Sequence, residues 1–86
     1  MKLRLTMMGR SYDATAKLPA GIEMATDARI DDALEAVTSL LPDGQELPAS
    51  CLVVHNGKHL GTVASHDNLR LADQDDLVLI APVAGG

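Results

Sequence analysis

The chain has 86 residues, 47% of them hydrophobic, and a formal net charge of −5 at pH 7. This length and composition predict one folded domain with a modest core, and the absence of an 18-residue apolar run predicts no membrane span. Too few Lys and Arg residues are present to neutralise nucleic-acid phosphates, and Tyr12 is the only aromatic platform for a base, so nucleic acid is not an expected partner.

The N-terminal segment predicts a strand and its hairpin partner. Residues 2–8 alternate, with Leu3, Leu5 and Met7 on one face, which is typical of a strand with one buried side. Met8 then points to the opposite face. After a turn at residues 9–13, a weaker strand is predicted within residues 14–24, interrupted by a loop at Pro19-Ala20-Gly21.

One helix is predicted from residue 30 to about residue 41. Apolar residues recur there at three- and four-residue steps and form one stripe, made of Ile30, Ala33, Leu34, Val37, Leu40 and Leu41. Asp31 and Asp32 lie in the first turn, where carboxylates favour the positive end of the helix dipole, and Asp27 is available as the N-cap. Pro42 ends the helix, because it disfavours helical geometry in the preceding residue.

The second half of the chain predicts three more strands. Residues 51–55 are almost continuously apolar, which is typical of a central strand. The Asn-Gly pair at 56–57 favours a tight turn with positive φ, and residues 58–63 return as a short edge strand. A polar turn at 73–76 precedes the last strand, residues 77–81, which we expect beside the first strand in the centre of the sheet.

These elements predict an α+β fold of the β-grasp type. A single helix and a single sheet can bury their apolar faces only against each other, so we expect a mixed sheet of four to five strands packed on one main helix. The first and last strands would be central and parallel, with the hairpins outside them. Residues 1–81 would form this domain, and residues 82–86 a flexible tail.

The tail reads Ala81-Pro82-Val83-Ala84-Gly85-Gly86. Glycine has no Cβ, so two glycines in sequence can lie extended in a channel too narrow for other residues. We expect Gly86 to carry a free carboxylate that the active site of another protein can reach.

The tail and three internal segments resemble the ubiquitin-like sulfur carriers of the MoaD/ThiS family. The segments are His55-Asn56-Gly57 behind two valines, the acidic turn at 71–76, and Leu-Pro-Ala-Gly at 18–21. The length and the Pro-Val-x-Gly-Gly end are most similar to the small subunit of molybdopterin synthase. This chain departs from the family pattern where Gln74 replaces a turn glycine and Ala81 replaces a proline. It also has no phenylalanine, with Met7, Met8 and Ile80 at the corresponding places.

The resemblance implies a sulfur carrier that is not itself an enzyme. A ubiquitin-activating-type adenylyltransferase would use ATP to adenylate Gly86, and a sulfur donor system would convert it to a thiocarboxylate. The loaded tail would enter the large catalytic subunit of molybdopterin synthase, with Pro82, Val83, Ala84 and Gly85 lying in the partner's channel. The carrier itself would bind no cofactor and no metal.

Three alternatives remain open at this point. The same tail would serve sulfur delivery to thiamine or to tRNA, or conjugation of Gly86 to lysines of target proteins. A plain β-grasp interaction domain would need no chemistry at the tail.

Other residues offer weaker candidate sites. Cys51 is the only cysteine, which excludes an internal disulfide and fits a cytoplasmic protein, and we expect it in the core rather than as a sulfur-handling thiol. The spacing of His55, His59 and His66 does not match a compact metal site. The paired acids at 31–32 and 75–76 are interpreted as a helix start and a solvated turn.

Overall fold

The computed structural model describes residues 1–8, 19–41 and 46–81. Its elements in chain order are β1 (Lys2–Met8), β2 (Gly21–Glu23), α1 (Ile30–Leu40), β3 (Leu52–His55), β4 (Lys58–Thr62) and β5 (Asp76–Ile80). The five strands form one sheet in the order β2-β1-β5-β3-β4.

The centre of the sheet is the parallel pair β1 and β5. Leu5 is opposite Leu77, and Met7 is opposite Leu79. All other pairings are antiparallel: β2 with β1, and β3 with both β5 and β4. The predicted arrangement of two central parallel strands with hairpins outside them is therefore confirmed for the strands that the structure describes.

One face of this sheet packs against α1 and forms the hydrophobic core. The buried residues from the sheet are Leu3, Leu5, Val53, Leu60, Leu77 and Leu79, and those from the helix are Ile30, Ala33, Leu34 and Val37. Full burial of an aliphatic side chain contributes about 1.5–3 kcal/mol, so this shared face is the main source of stability.

The end of the predicted helical stripe differs from the structure. Leu41 is buried as predicted, whereas Leu40 is 48% exposed. At about 100° per residue, Leu40 lies about 80° around the helix axis from Ile30, while Leu41 returns to within about 20° of it. Leu40 therefore lies at the margin of the stripe, and its assignment to the core was wrong.

The N-cap of α1 was also predicted wrongly. Arg29, not Asp27, is the residue at the cap position. Its backbone N–H donates to Asp32 Oδ2 at 2.9 Å, and the backbone N–H of Asp31 donates to Asn68 Oδ1 at 2.9 Å. The backbone N–H groups at the helix start thus donate to the carboxylate of Asp32 and to the side-chain amide oxygen of Asn68. Asp27 lies before the cap position and has neither role.

The predicted antiparallel pairing of β1 with the strand that follows it is confirmed in the described residues, but one residue of the loop at 19–21 was misplaced. Gly21 was assigned to the loop, whereas it begins β2 and is paired with Arg4. A Cβ at Gly21 would lie 3.3 Å from the carbonyl oxygen of Leu3, which shows how closely the two backbones approach there. The predicted turn at 9–13 and the predicted strand at 14–18 lie outside the described residues.

The turn at Asn56-Gly57 has the predicted geometry, whereas the turn before β5 differs in part from its prediction. Asn56 and Gly57 have φ values of 48° and 83°, as a tight hairpin turn requires. Gln74 has a φ of 69°. The position where the family pattern has glycine is therefore in the left-handed conformation that glycine adopts easily, although Gln74 carries a side chain. Asp76, predicted to lie in the second turn, instead begins β5.

A bulge between Val53 and Val54 shifts the register of β3 against β4. Gly61, opposite the bulge, has a φ of 136°. A Cβ at Gly61 would lie 2.9 Å from Cα of His66 and closer still to the carbonyl oxygen of Ser65. The chain after β4 therefore folds back directly over Gly61.

Candidate functional site

The tail begins at a fixed point of the sheet. Ala81, the last described residue, is buried, and its N–H donates to the carbonyl oxygen of Met8 at 2.8 Å. This bond extends the pairing of β1 with β5 by one residue. Gly86 and the channel residues Pro82, Val83, Ala84 and Gly85 lie outside the described residues, so their roles and the domain boundary after residue 81 stay predictions.

An apolar surface lies next to this point, on the side of the sheet opposite α1. Ile80 is paired with both Met8 and Leu52, and Val78 is paired with Val54. Paired residues project from the same side of a sheet, so these five residues form one continuous surface, which we call the outer apolar face. Met8 is 53% exposed and the other four are half-buried. The prediction that Met7 and Met8 point to opposite sides is confirmed.

The same side of the sheet carries charge at its other end. Arg4 Nε lies 3.0 Å from Asp76 Oδ1, and both side chains are largely exposed. An exposed pair of this kind contributes about 0–1 kcal/mol to stability. The outer apolar face is thus bordered by an ion pair at the start of β5 and by the root of the tail at its end.

A second polar cluster joins the β3–β4 turn to the segment before β5. Asp75 Oδ2 lies 2.7 Å from His55 Nε2 and accepts the Ala72 N–H at 2.9 Å, while Oδ1 accepts from Asn56 Nδ2 at 3.0 Å. Asn56 Oδ1 in turn accepts the N–H of Asp76 at 2.8 Å. Asp75 was predicted to lie in a solvated turn; its side chain is only 13% exposed, so that prediction was wrong.

The ionisation of Asp75 follows from these contacts. Desolvation by itself raises the pKa of this carboxyl. Hydrogen bonds from Asn56, His55 and the Ala72 N–H outweigh the desolvation, and the pKa of Asp75 lies below its ordinary value. The cluster therefore holds a carboxylate. The sequence analysis named His55, Asn56 and Asp75 separately but did not predict that their side chains come together.

Cys51 has the surroundings of a core residue. It is fully buried, and desolvation raises the pKa of its thiol above the ordinary value. A thiol acts as a nucleophile only as the thiolate, which this environment disfavours. The geometry thus agrees with the predicted core position of Cys51.

The three histidines lie in different surroundings. His55 contacts Asp75, His66 contacts Asp31, and His59 is exposed on β4. In residues 1–8, 19–41 and 46–81, no group of three potential metal ligands comes together and no pocket is found. The same residues include no helix with the length and apolar character needed to cross a membrane.

No protein-family model and no curated protein matches the sequence, but two solved structures match the fold. The crystal structure of SAMP1 from Haloferax volcanii superposes with a TM-score of 0.73 at 21% identity, over the full length of both chains. The fold is the ubiquitin-like β-grasp. The solution structure of the Haloferax volcanii HVO 2177 protein gives a TM-score of 0.58 at 25% identity, over all of this chain and 87% of that one.

Proposed function

We propose that this chain is a ubiquitin-like sulfur carrier whose Gly86 carboxylate is activated and thiolated by partner proteins. The observation that carries the proposal is the position of the diglycine. Gly85 and Gly86 follow Ala81 by four and five residues. Ala81 itself is hydrogen-bonded to Met8 at the end of β5, in a ubiquitin-like sheet. A rigid domain with a narrow terminus at a fixed point of departure suits delivery of a carboxylate into another protein's active site.

The chemistry at Gly86 requires two steps. A carboxylate is a poor electrophile because its charge is delocalised and its leaving group is oxide. Attack of the carboxylate on the α-phosphate of ATP gives an acyl adenylate and releases pyrophosphate. Hydrosulfide from the donor system then attacks the acyl carbon and expels AMP, which leaves the thiocarboxylate. A ubiquitin-activating-type adenylyltransferase would bind the ATP, and this chain would hold no cofactor or metal.

The geometry limits how such a partner can approach. Five extended residues beyond Ala81 span at most about 18 Å, so the partner's active site must come within that distance of the sheet. The outer apolar face borders the same end of the sheet. A partner that packs on Met8 and Ile80 would therefore have the tail within reach of its bound ATP.

The proposed destination of the sulfur is the molybdopterin branch. Its support is the resemblance of the chain length and of the Pro-Val-x-Gly-Gly end to the small subunit of molybdopterin synthase. In this form of the proposal the loaded tail enters the large catalytic subunit and gives up its sulfur there, in the cytoplasm. Delivery to thiamine or to tRNA would use the same loading steps, and only reconstitution with each acceptor separates the three.

The loading step is tested by the intact mass of the chain ending at Gly86. The protein would be incubated with a purified ubiquitin-activating-type adenylyltransferase, ATP and a sulfur donor. The expected gain corresponds to exchange of one oxygen for one sulfur. It should persist after a thiol reductant and in the Cys51→Ala variant, and it should be absent when Gly86 is deleted.

Two results would contradict the proposal. A gain equal to one added sulfur atom that a reductant removes would indicate a persulfide on Cys51. The other result is an unchanged mass in a mixture where the adenylyltransferase still adenylates its own known carrier. That result would mean that the chain is an interaction domain without chemistry at its tail.

A protein modifier is the second candidate, and the likeness to SAMP1, a ubiquitin-like small archaeal modifier protein, favours it. A lysine amine of the target would then attack the acyl carbon of the same acyl adenylate, which expels AMP, loses a proton to solvent and leaves an isopeptide bond. This function predicts larger adducts in a host extract without added sulfur donor, and their disappearance when Gly86 is deleted.

A further inference from the structure

Asn56 is joined to the segment before β5 by both its backbone and its side chain. Its backbone N–H donates to the carbonyl oxygen of Asp76 at 2.9 Å, and its Oδ1 accepts the N–H of Asp76 at 2.8 Å. Its Nδ2 donates to Asp75 Oδ1 at 3.0 Å. Both ends of the side-chain amide are therefore held by residues that lie 19 and 20 positions away in the sequence.

Gly57 follows Asn56, and this pair is the sequence in which an asparagine side chain reacts most readily with its own backbone. Glycine has no Cβ, so its backbone nitrogen can approach the Cγ of the preceding asparagine without hindrance. Both residues are exposed, and among the described residues a Cβ at Gly57 would meet nothing within 4 Å. The surroundings of this turn thus leave room for the reaction, and the hydrogen bonds of the Asn56 amide oppose it.

The reaction is deamidation through a cyclic imide. The backbone nitrogen of Gly57 gives its proton to solvent and attacks Cγ of Asn56, and the new C–N bond closes a succinimide ring. The bond between Cγ and Nδ2 breaks, and this nitrogen leaves as ammonia. One water molecule then opens the ring at either carbonyl, which leaves aspartate or isoaspartate at position 56. In sum, an amide and one water become a carboxylate and ammonium, without oxidation or reduction.

We propose that Asn56 is a deamidation site that the domain protects while the β3–β4 turn stays bonded to Asp75 and Asp76. Ring closure draws Cγ towards the nitrogen of Gly57 and expels Nδ2. The side chain must therefore give up two hydrogen bonds, one of them to a carboxylate, before it can react. The reactive state is one in which the turn has separated from the segment before β5, so the modification accumulates in molecules where the start of β5 has come loose.

The product prevents the turn from binding again as before. Aspartate at position 56 has no N–H in its side chain and places an oxygen where Nδ2 lay, 3.0 Å from Asp75 Oδ1, so two like charges oppose each other. Isoaspartate also adds a methylene to the main chain, which lengthens the turn between the paired residues His55 and Lys58. Deamidation thus leaves an irreversible mark on domains whose β5 has opened at its start.

The direct test is the rate of deamidation at Asn56, followed by mass spectrometry of proteolytic peptides at one fixed pH and temperature. Each event exchanges an NH group for an oxygen atom in the peptide that holds Asn56 and Gly57. The native chain should react at least about tenfold more slowly than the same chain unfolded in urea, because two hydrogen bonds must break first. Equal rates in the two states would overturn the proposal.

Amide hydrogen exchange in the native chain distinguishes a local opening from unfolding of the whole domain. The N–H of Asp76 donates to the Asn56 side chain and reports on the turn, while the N–H of Ala81 reports on the sheet centre. The factor by which folding slows deamidation should match the protection of Asp76. A slowdown as large as the protection of Ala81, and larger than that of Asp76, would show that only global unfolding exposes the site and would contradict the local opening.

The variant pair Asp75→Ala and Asp76→Ala separates the contact from the charge. Each variant removes one carboxylate, but only the side chain of Asp75 accepts from Asn56 Nδ2, whereas Asp76 binds Asn56 through its backbone. Asp75→Ala should speed deamidation of the native chain at least about fivefold, and Asp76→Ala should have a clearly smaller effect. Equal effects of the two variants, or none from Asp75→Ala, would contradict the proposal. The comparison of native and unfolded parent protein tests it even if Asp75→Ala does not fold.

Discussion

Asp75 Oδ2 lies 2.7 Å from His55 Nε2, and this contact joins the end of β3 to the segment before β5. The same carboxylate also accepts from Asn56 and from the Ala72 N–H. Two separate parts of the backbone, at residues 55–56 and at residue 72, therefore depend on one negative charge, which makes the cluster a source of pH-dependent stability.

Asp75→Asn should lower the free energy of unfolding near neutral pH by about 1–3 kcal/mol, the range for hydrogen bonds to a charged group. The pKa of Asp75 is depressed in the folded state, so its contribution is complete above the unfolded value of about 3.9 and is lost as the pH falls through the folded pKa. The stabilities of parent and variant should therefore converge in acid. Urea unfolding at a series of pH values measures this.

The control for that series is Asp76→Asn, which removes an exposed ion pair with Arg4 and should cost at most about 1 kcal/mol. A difference between parent and Asp75→Asn that stayed constant down to about pH 2, well below the usual carboxyl range, would show that the charge of Asp75 is unimportant.

Gly61→Ala should be markedly more destabilising than Gly57→Ala. Both glycines have positive φ, so both substitutions carry a backbone cost of about 1 kcal/mol. At Gly57 the new Cβ meets nothing within 4 Å, whereas at Gly61 it would overlap the backbone of Ser65 and His66. Thermal unfolding of the two variants measures the difference, and equal losses of stability would contradict the close approach at Gly61.

Gln74→Gly should stabilise the protein by about 0.5–1 kcal/mol. Gln74 has a φ of 69°, which costs a residue with a Cβ about 1–2 kcal/mol. Part of the gain is lost because glycine makes the unfolded chain more flexible. The contacts that residue 74 makes with β1 use its backbone N–H and carbonyl, so the variant keeps them. Denaturant unfolding should show a higher midpoint with an unchanged slope; a lower midpoint would contradict the strain.

Met8→Gln should weaken thiolation by the adenylyltransferase while leaving the fold stable. Met8 is 53% exposed on the outer apolar face beside the root of the tail. A central apolar contact of an interface contributes more than about 1 kcal/mol, which corresponds to about a fivefold or greater loss of apparent affinity. The measurement is the rate of thiocarboxylate formation against carrier concentration.

The matched control is Leu40→Gln, because Leu40 is 48% exposed on the helix side of the molecule. This variant should load like the parent protein. If both substitutions slowed loading equally, or if neither did, the outer apolar face would not be the surface on which the partner binds.

The sequence predicted what depends on local patterns and missed what depends on distant contacts. Alternation in β1, the period of α1 and the Asn-Gly turn are each visible within a few residues, and the confirmed topology follows from them. The cap of α1 comes in part from Asn68, which is 37 residues from its partner Asp31, and no local pattern indicates such a pair. Asp75 was misjudged for the same reason, since its partner His55 is 20 residues away.

The position of β5 has a consequence for how the molecule forms. Because β5 lies between β1 and β3, the centre of the sheet stays empty until residues 76–80 are available. Contacts between strands so far apart in sequence form slowly, and during synthesis they can form only after residues 76–80 have left the ribosome. The hydrogen bond between Ala81 and Met8 therefore exists only in a fully assembled domain. A partner that binds the outer apolar face and the root of the tail together would distinguish folded domains from those in which β5 is not yet paired.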